Sequence, residues 1–112
     1  MKKRDIVRSN ILFNEVINKG RHLSSKYFVL CILKNDEAKN KFGIAVGTKV
    51  GHAVVRNKIK RQMRVIIDKN RNLFPQFNNY VVICKKEVLN LSFQEMEQEL
   101  IKIINKGEKN EK

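Results

Sequence analysis

Apolar and polar positions along the chain fall into alternating helix-like and strand-like stretches. Leu12, Phe13, Val16 and Ile17 stand at helical spacing, with Ser9 and Asn10 as N-capping types before them and Gly20 as a stop after them. Tyr27 to Leu33 is a continuous apolar run rich in β-favouring residues, which predicts a strand buried on both faces. Alternation puts Phe28, Leu30 and Ile32 on one face and Tyr27, Val29, Cys31 and Leu33 on the other. After a polar loop from Lys34 to Lys41, residues 42–46 read as a second strand, antiparallel to the first if a simple hairpin joins them. Gly47 and Gly51 bracket a turn, a helix follows from about Ala53 to about Asn70, and Tyr80 to Cys84 reads as a third strand.

The last helix carries the capping-box pair Ser92 and Glu95, and its apolar stripe is Phe93, Met96, Leu100, Ile103 and Ile104. From Gly107 to the end at 112 the chain reads as a frayed tail. The expected order is α-β-β-α-β-α, an α+β sandwich in which helices cover the faces of a small central sheet. No repeat or Pro/Gly/Ser-rich linker divides the sequence, so residues 1–112 are expected to form one domain.

Residues 55–70 divide sharply on a helical wheel. Val55, Ile59, Met63, Ile66 and Ile67 fill a sector of about 120°. Asn57, Lys60, Arg61 and Arg64 lie opposite, Arg56 lies at the border, and Asp68 is the one acid of the segment. A helix stabilised by its own surface intersperses acids at i,i+4. Arg56, Lys60 and Arg64 instead form one i,i+4 row of like charge. Guanidinium forks on a rigid element suit phosphate oxygens, and Asn57 adds a neutral donor and acceptor for sugar or base edges.

Charge extends that reading to the whole chain. There are 24 Lys and Arg against 11 Asp and Glu, a net +13, and the excess lies entirely before Lys85. Self-repulsion of this size calls for a polyanionic partner, and segregation to three quarters of the chain argues for a nucleic-acid-binding face over mere solubility. No helix-turn-helix, zinc-finger or zipper pattern accompanies it. Cys31 and Cys84 sit in apolar runs without partners at metal-ligand spacing, so buried thiols are expected, with neither zinc nor a disulfide. No apolar run approaches the roughly 20 residues of a membrane span and no secretory block follows the amino terminus, so a cytoplasmic protein without membrane association is expected.

Val46-Gly47-Thr48-Lys49-Val50-Gly51-His52-Ala53-Val54-Val55-Arg56-Asn57-Lys58-Ile59-Lys60-Arg61-Gln62-Met63-Arg64 closely resembles the Arg-Asn-Arg signature segment of the bacterial ribonuclease P protein family. Phe13, the Lys19-Gly20 turn, the Phe28-Val29-Leu30 strand, the third strand and the capped last helix stand in the family's order over nearly the full length. The resemblance implies a fold like the second domain of a small-subunit ribosomal protein, with an uncommon left-handed crossover that general handedness rules disfavour. It implies a small subunit, monomeric within a ribonucleoprotein, that binds ribonuclease P catalytic RNA and precursor tRNA and promotes endonucleolytic removal of the 5′ leader. Catalytic groups then reside in the RNA, and magnesium ions are held mainly by it, with no dedicated metal site in the protein.

Carried over residue by residue, Lys49, Arg56, Asn57, Lys58, Lys60, Arg61 and Arg64 face the catalytic RNA. A leader-binding cleft is implied between the first helix and the sheet, at Phe13, Ile17, Tyr27 and Cys31. Ile17 and Cys31 stand where many members have aromatic residues, and base stacking is worth roughly 1–3 kcal/mol per ring. Tyr27 compensates in part if it shares the strand face of Cys31, and simple core packing is the other reading of Phe13 and Tyr27. Lys58 keeps the charge of the signature's final Arg but not its bidentate fork.

Two other classes fit parts of the sequence. A structural RNA-binding module explains the charge but not the turn-helix signature or the aromatic-bearing first helix. A nuclease catalysing by itself needs an acid and a base or a carboxylate cluster. His22 and His52 are the sole histidines, the latter expected to be structural or loop-lining, and the acids before Glu95 are scattered over different elements.

Overall fold

The computed structural model describes residues 5–7, 9–37 and 39–110. Helix α1 spans Asn10–Lys19, strand β1 Arg21–Ser24, β2 Phe28–Lys34, β3 Lys41–Val46, helix α2 Ala53–Lys69, β4 Asn78–Cys84 and helix α3 Phe93–Asn110. Single 3-10 turns at Arg71–Leu73 and Lys86–Asn90 lead into β4 and α3. The sheet has four strands in the order β1-β2-β4-β3.

Local signals set the helix ends. Ser9 Oγ accepts from the Leu12 amide at 3.3 Å, and the Gly20 N–H closes α1 on the Val16 carbonyl. A Cβ at Gly20 would collide with the Val16 and Ile32 carbonyl oxygens, so the close approach of this turn to β2 admits only glycine. At α3, Glu95 N donates to Ser92 Oγ at 3.2 Å and Ser92 N donates to Glu95 Oε1 at 2.9 Å, the reciprocal bonds of a capping box. The predicted tail at 107 is overturned: α3 continues to Asn110, and Gly107 is buried where a larger residue would strike Leu23. Residues 111 and 112 lie outside the described residues.

Two sheet expectations are corrected. Strand β1 has no counterpart in the expected order and adds a β to it. It is four residues long with only Leu23 buried, too short to show a period, and its pairing to β2 supplies the evidence that composition lacks. The second correction is that β2 and β3 form no hairpin, because β4 lies between them, antiparallel to β2 and parallel to β3. Tyr80, Val81, Val82 and Cys84 are all buried, so β4 needs cover on both faces and neighbours on both edges. The parallel pair β3 and β4 is connected through α2 as a crossover.

The sheet divides the core in two. On one face Ile59, Met63, Ile66 and Ile67 of α2 and Met96, Leu100, Ile103 and Ile104 of α3 pack on Phe28, Leu30, Phe42, Tyr80, Val82 and Cys84. Phe42, Phe74 and Tyr80 form an aromatic cluster with ring centroids 5.0 to 5.4 Å apart. On the other face α1 alone covers a smaller core of Val16, Cys31 and Val81. Both thiols are free and buried, as expected, but on opposite faces. Desolvation raises both above their ordinary value, Cys84 to about 12.

Candidate nucleic-acid interface

Helix α2 joins core to surface. The apolar sector read from the sequence is the one that is buried, with Val55 packed at its margin. Asn57, Lys58, Arg61 and Arg64 are exposed and Arg56 and Lys60 half-buried, so the cations form a ridge on a helix whose other side cannot move without disturbing the core. Lys49 is exposed in the preceding turn, which is closed by Val50 N–H on the Gly47 carbonyl at 3.1 Å. His52 occupies the N-cap position without a side-chain capping bond, and no acid stands in the first turn.

Among the described residues, no acidic side chain pairs with Lys49, Arg56, Lys58, Lys60, Arg61 or Arg64. Asp68 is drawn instead to Arg71. Arg56 Nε is buried and has no hydrogen-bond partner among the described residues. An open concavity along the ridge is lined by Val54, Asn57, Lys60, Arg61 and Arg64. Val54 is 81 % exposed there, a lining residue for which the basic pattern alone carries no signal.

The second group of predicted residues is only partly brought together. Phe13 and Ile17 are half-buried between α1 and the sheet, and the Phe13 ring lies against Gly43 of β3, where an added Cβ would stand 3.0 Å from its Cε2. Cys31 is fully buried beneath α1 with Val16 and Val81, so it forms floor and offers no surface to a ligand. Tyr27 belongs to the opposite core, facing α2 and α3. The amides of Tyr27 and Phe28 both donate to Ser25 Oγ at 3.2 Å, and this bend ends the alternation one residue short of Tyr27. The α1 face has instead half-exposed Val29 and Ile83, opposite one another in register, with Ala45 beside Ile83. Their place on the face followed from alternation, whereas their exposure depends on how much of the sheet α1 covers.

A hollow at the outer edge of β3 connects the two groups: Phe13 and Gly43 line it together with Ile6, Val7, Phe42, Ile44, Lys60 and Arg64. The ends of the cleft and of the ridge therefore meet around one sheet edge. His22 is occupied locally, its Nε2 bonded to the Ile17 carbonyl.

The sequence profile of the family described as Ribonuclease P matches residues 1–108 of this chain. The chain belongs to the ribonuclease P protein family. It is 38% identical over 105 residues to the ribonuclease P protein component of Mycoplasma mycoides subsp. mycoides, spanning 93% of this chain and 96% of that protein. With that of Listeria innocua it shares 32% over 108 residues, 96% of this chain and 91% of the relative. The solved ribonuclease P protein of Thermotoga maritima superposes with a TM-score of 0.83 at 30% identity, covering 92% of this chain and 97% of the other. A Staphylococcus aureus ribonuclease P protein structure gives 0.87 at 24% identity over 95% and 90%, a likeness of fold. The α+β sandwich described above is therefore the ribonuclease P protein fold.

Proposed function

We propose that the chain is the protein subunit of bacterial ribonuclease P, which promotes endonucleolytic removal of the 5′ leader from precursor tRNA. The observation that carries the reading is the α2 ridge: Arg56, Lys60, Arg61 and Arg64 on a core-anchored helix, with no acidic partner among the described residues. Cations left in that state repel one another, a cost relieved when phosphates approach. Lys49, Asn57 and Lys58 extend the surface toward the helix start.

The ridge binds the catalytic RNA and positions it. The α1 cleft, with Phe13 and Ile17 on the helix and Val29 and Ile83 on the sheet, takes the single-stranded leader by apolar and stacking contact. The chemistry is assigned to the RNA and to magnesium ions bound mainly by its phosphates. Among the described residues no group of three His, Cys, Asp or Glu side chains is placed to hold a metal ion, and a cationic ridge repels one. The protein's own work is electrostatic: it lowers the repulsion between two RNAs and holds the leader in register. We assign one copy of the chain to each ribonucleoprotein and place it in the cytoplasm. Among the described residues, no helix is long and apolar enough to cross a membrane.

The test is cleavage of a labelled precursor tRNA at low magnesium by the protein alone, by a bacterial ribonuclease P RNA alone, and by both. Cleavage at the mature 5′ end only with both present, and lost on changing Arg61 and Arg64 together to Ala, is the expected result. Cleavage by protein alone moves catalysis into the chain. Tight RNA binding without any cleavage, with the organism's own RNA included, favours a structural RNA-binding module.

A further inference from the structure

Asp68, the lone acid among residues 55–70, has no use in a phosphate-binding ridge. Its Oδ1 lies 3.2 Å from Arg71 Nε, just past the helix end. The same guanidinium donates from Nη2 to Asp5 Oδ2 at 3.0 Å, joining positions 66 residues apart. Asp5 is only 6% exposed, an unusual burial for a carboxylate and one that requires a partner. Arg71 also covers the Phe42 ring, 5.6 Å from its centroid. The backbone of Phe42 holds the same N-terminal segment, since Val7 N–H donates to its carbonyl at 3.0 Å and Ile6 bridges it in parallel. Residues 5–7 are thus a strap along the outer edge of β3, with Phe42 as the common seat of strap and cation.

The strap walls the hollow in which cleft and ridge meet, where Ile6 and Val7 stand with Phe13, Lys60 and Arg64. Arg71 itself does not line that hollow. Among the described residues the backbone of the strap meets β3 through the Ile6 bridge and the Val7 bond. The Arg71–Asp5 hydrogen bond adds a side-chain latch, and Asp68 draws the same cation from the helix side by charge.

We infer that Arg71, through Asp5 and Asp68, is a positioning residue that sets the spacing of Phe13 from Lys60 and Arg64, and with it the fit of a single strand passing from cleft to ridge. The inference rests on the leader-cleft reading above. It assigns to Asp68 and Asp5 a reason to be acidic in a chain that is otherwise strongly basic up to β4.

The experiment uses the full chain assembled with ribonuclease P RNA and three variants, Asp5→Asn, Arg71→Met and Arg71→Lys, each checked for an intact melting transition. Two quantities are read: hydrogen exchange at the Val7 amide, and the gain in affinity for precursor tRNA that a short single-stranded leader confers over a leaderless one. Asp5→Asn and Arg71→Met are expected to speed Val7 exchange about tenfold or more as the strap opens locally. They are expected to cut the leader gain about three- to tenfold, as misplacement of positioning groups does, without changing the salt dependence of RNA binding. Arg71→Lys, which keeps one ion pair, should restore most of the gain. Faster exchange with an undiminished leader gain would make the latch purely structural and overturn the inference. Unchanged exchange in both Asp5→Asn and Arg71→Met would overturn it as well, by showing that the strap needs no latch. Absence of any leader gain in the unaltered protein would sink the cleft reading itself, and this inference with it.

Discussion

Helices α2 and α3 are nearly equal in length, 17 and 18 residues, and cover the same face of the sheet. Their inner sides do the same work, with Met63 and Leu100 each fully buried in one shared core. Their outer sides differ. On α3 the acids whose side chains are described are engaged within the protein: Glu95 in the capping box, Glu99 with Lys102 at 2.9 Å, and Glu97 with Asn70 at 2.9 Å and Lys69 at 3.3 Å. Among the described residues, the one α2 cation with such a partner is Lys69, at the end that touches α3, and Arg71 beyond it pairs with Asp68. A surface that satisfies its own charges is finished at folding, whereas the cations of the α2 ridge have no acidic partner among the described residues.

Changes to the inner sides should erase the difference. Met63→Ala and Leu100→Ala are each expected to cost about 2–5 kcal/mol of stability, measured by denaturant unfolding, because both leave cavities in the same core. A markedly smaller loss at α2 would show that it is held less firmly than the comparison requires. Changes to the outer sides should sharpen it. Arg61→Ala with Arg64→Ala should leave stability within about 0.5 kcal/mol, yet flatten the slope of log K for RNA against log salt by about 1.4 to 1.8. The charge-removing pair Lys102→Ala and Lys106→Ala on α3 should leave that slope nearly unchanged. An equal slope change from both pairs would mean that RNA binding is diffuse and the ridge nothing special.

Smaller effects test the self-satisfied side. Ser92→Ala should lower stability by about 1 kcal/mol through loss of the α3 cap, without altering RNA affinity. Acid should weaken the end bonds of α3. Backbone and side-chain bonds from Ser92 hold Glu95 below its ordinary value of 4.5, and bonds from Asn70 and Lys69 do the same for Glu97. For a depressed carboxylate the stabilisation is fully present above 4.5 and is lost as pH falls through the lowered value. Thermal melts between pH 5 and pH 2 should therefore show a small loss of stability that Glu97→Gln reduces; an identical pH profile in that variant would contradict it.

Much of this was legible before any fold was known. Ser9, Gly20, Ser92 and Glu95 marked helix ends because caps act within a single turn. The α2 wheel divided core from ridge correctly because a rigid period lets one buried side define the other. The cleft was less legible. Tyr27 was misplaced by one backbone bend at Ser25, and Cys31 proved to be floor because α1 lies directly over it. The exposure of Val29 and Ile83 was invisible for the same reason, since alternation gives a face but not what covers it.

By itself, then, the sequence determined the three helices, the faces of β2, the buried thiols and the basic ridge with its unmatched charge. All of these arise from spacings of a few residues. Only the tertiary structure decided that β1 is a strand, that β4 takes the centre of the sheet, that α3 runs through Gly107, and that Asp5 meets Arg71. Each of those joins segments far apart along the chain, and such pairings are selected by what must be buried and which edges must be closed, quantities that no local pattern contains.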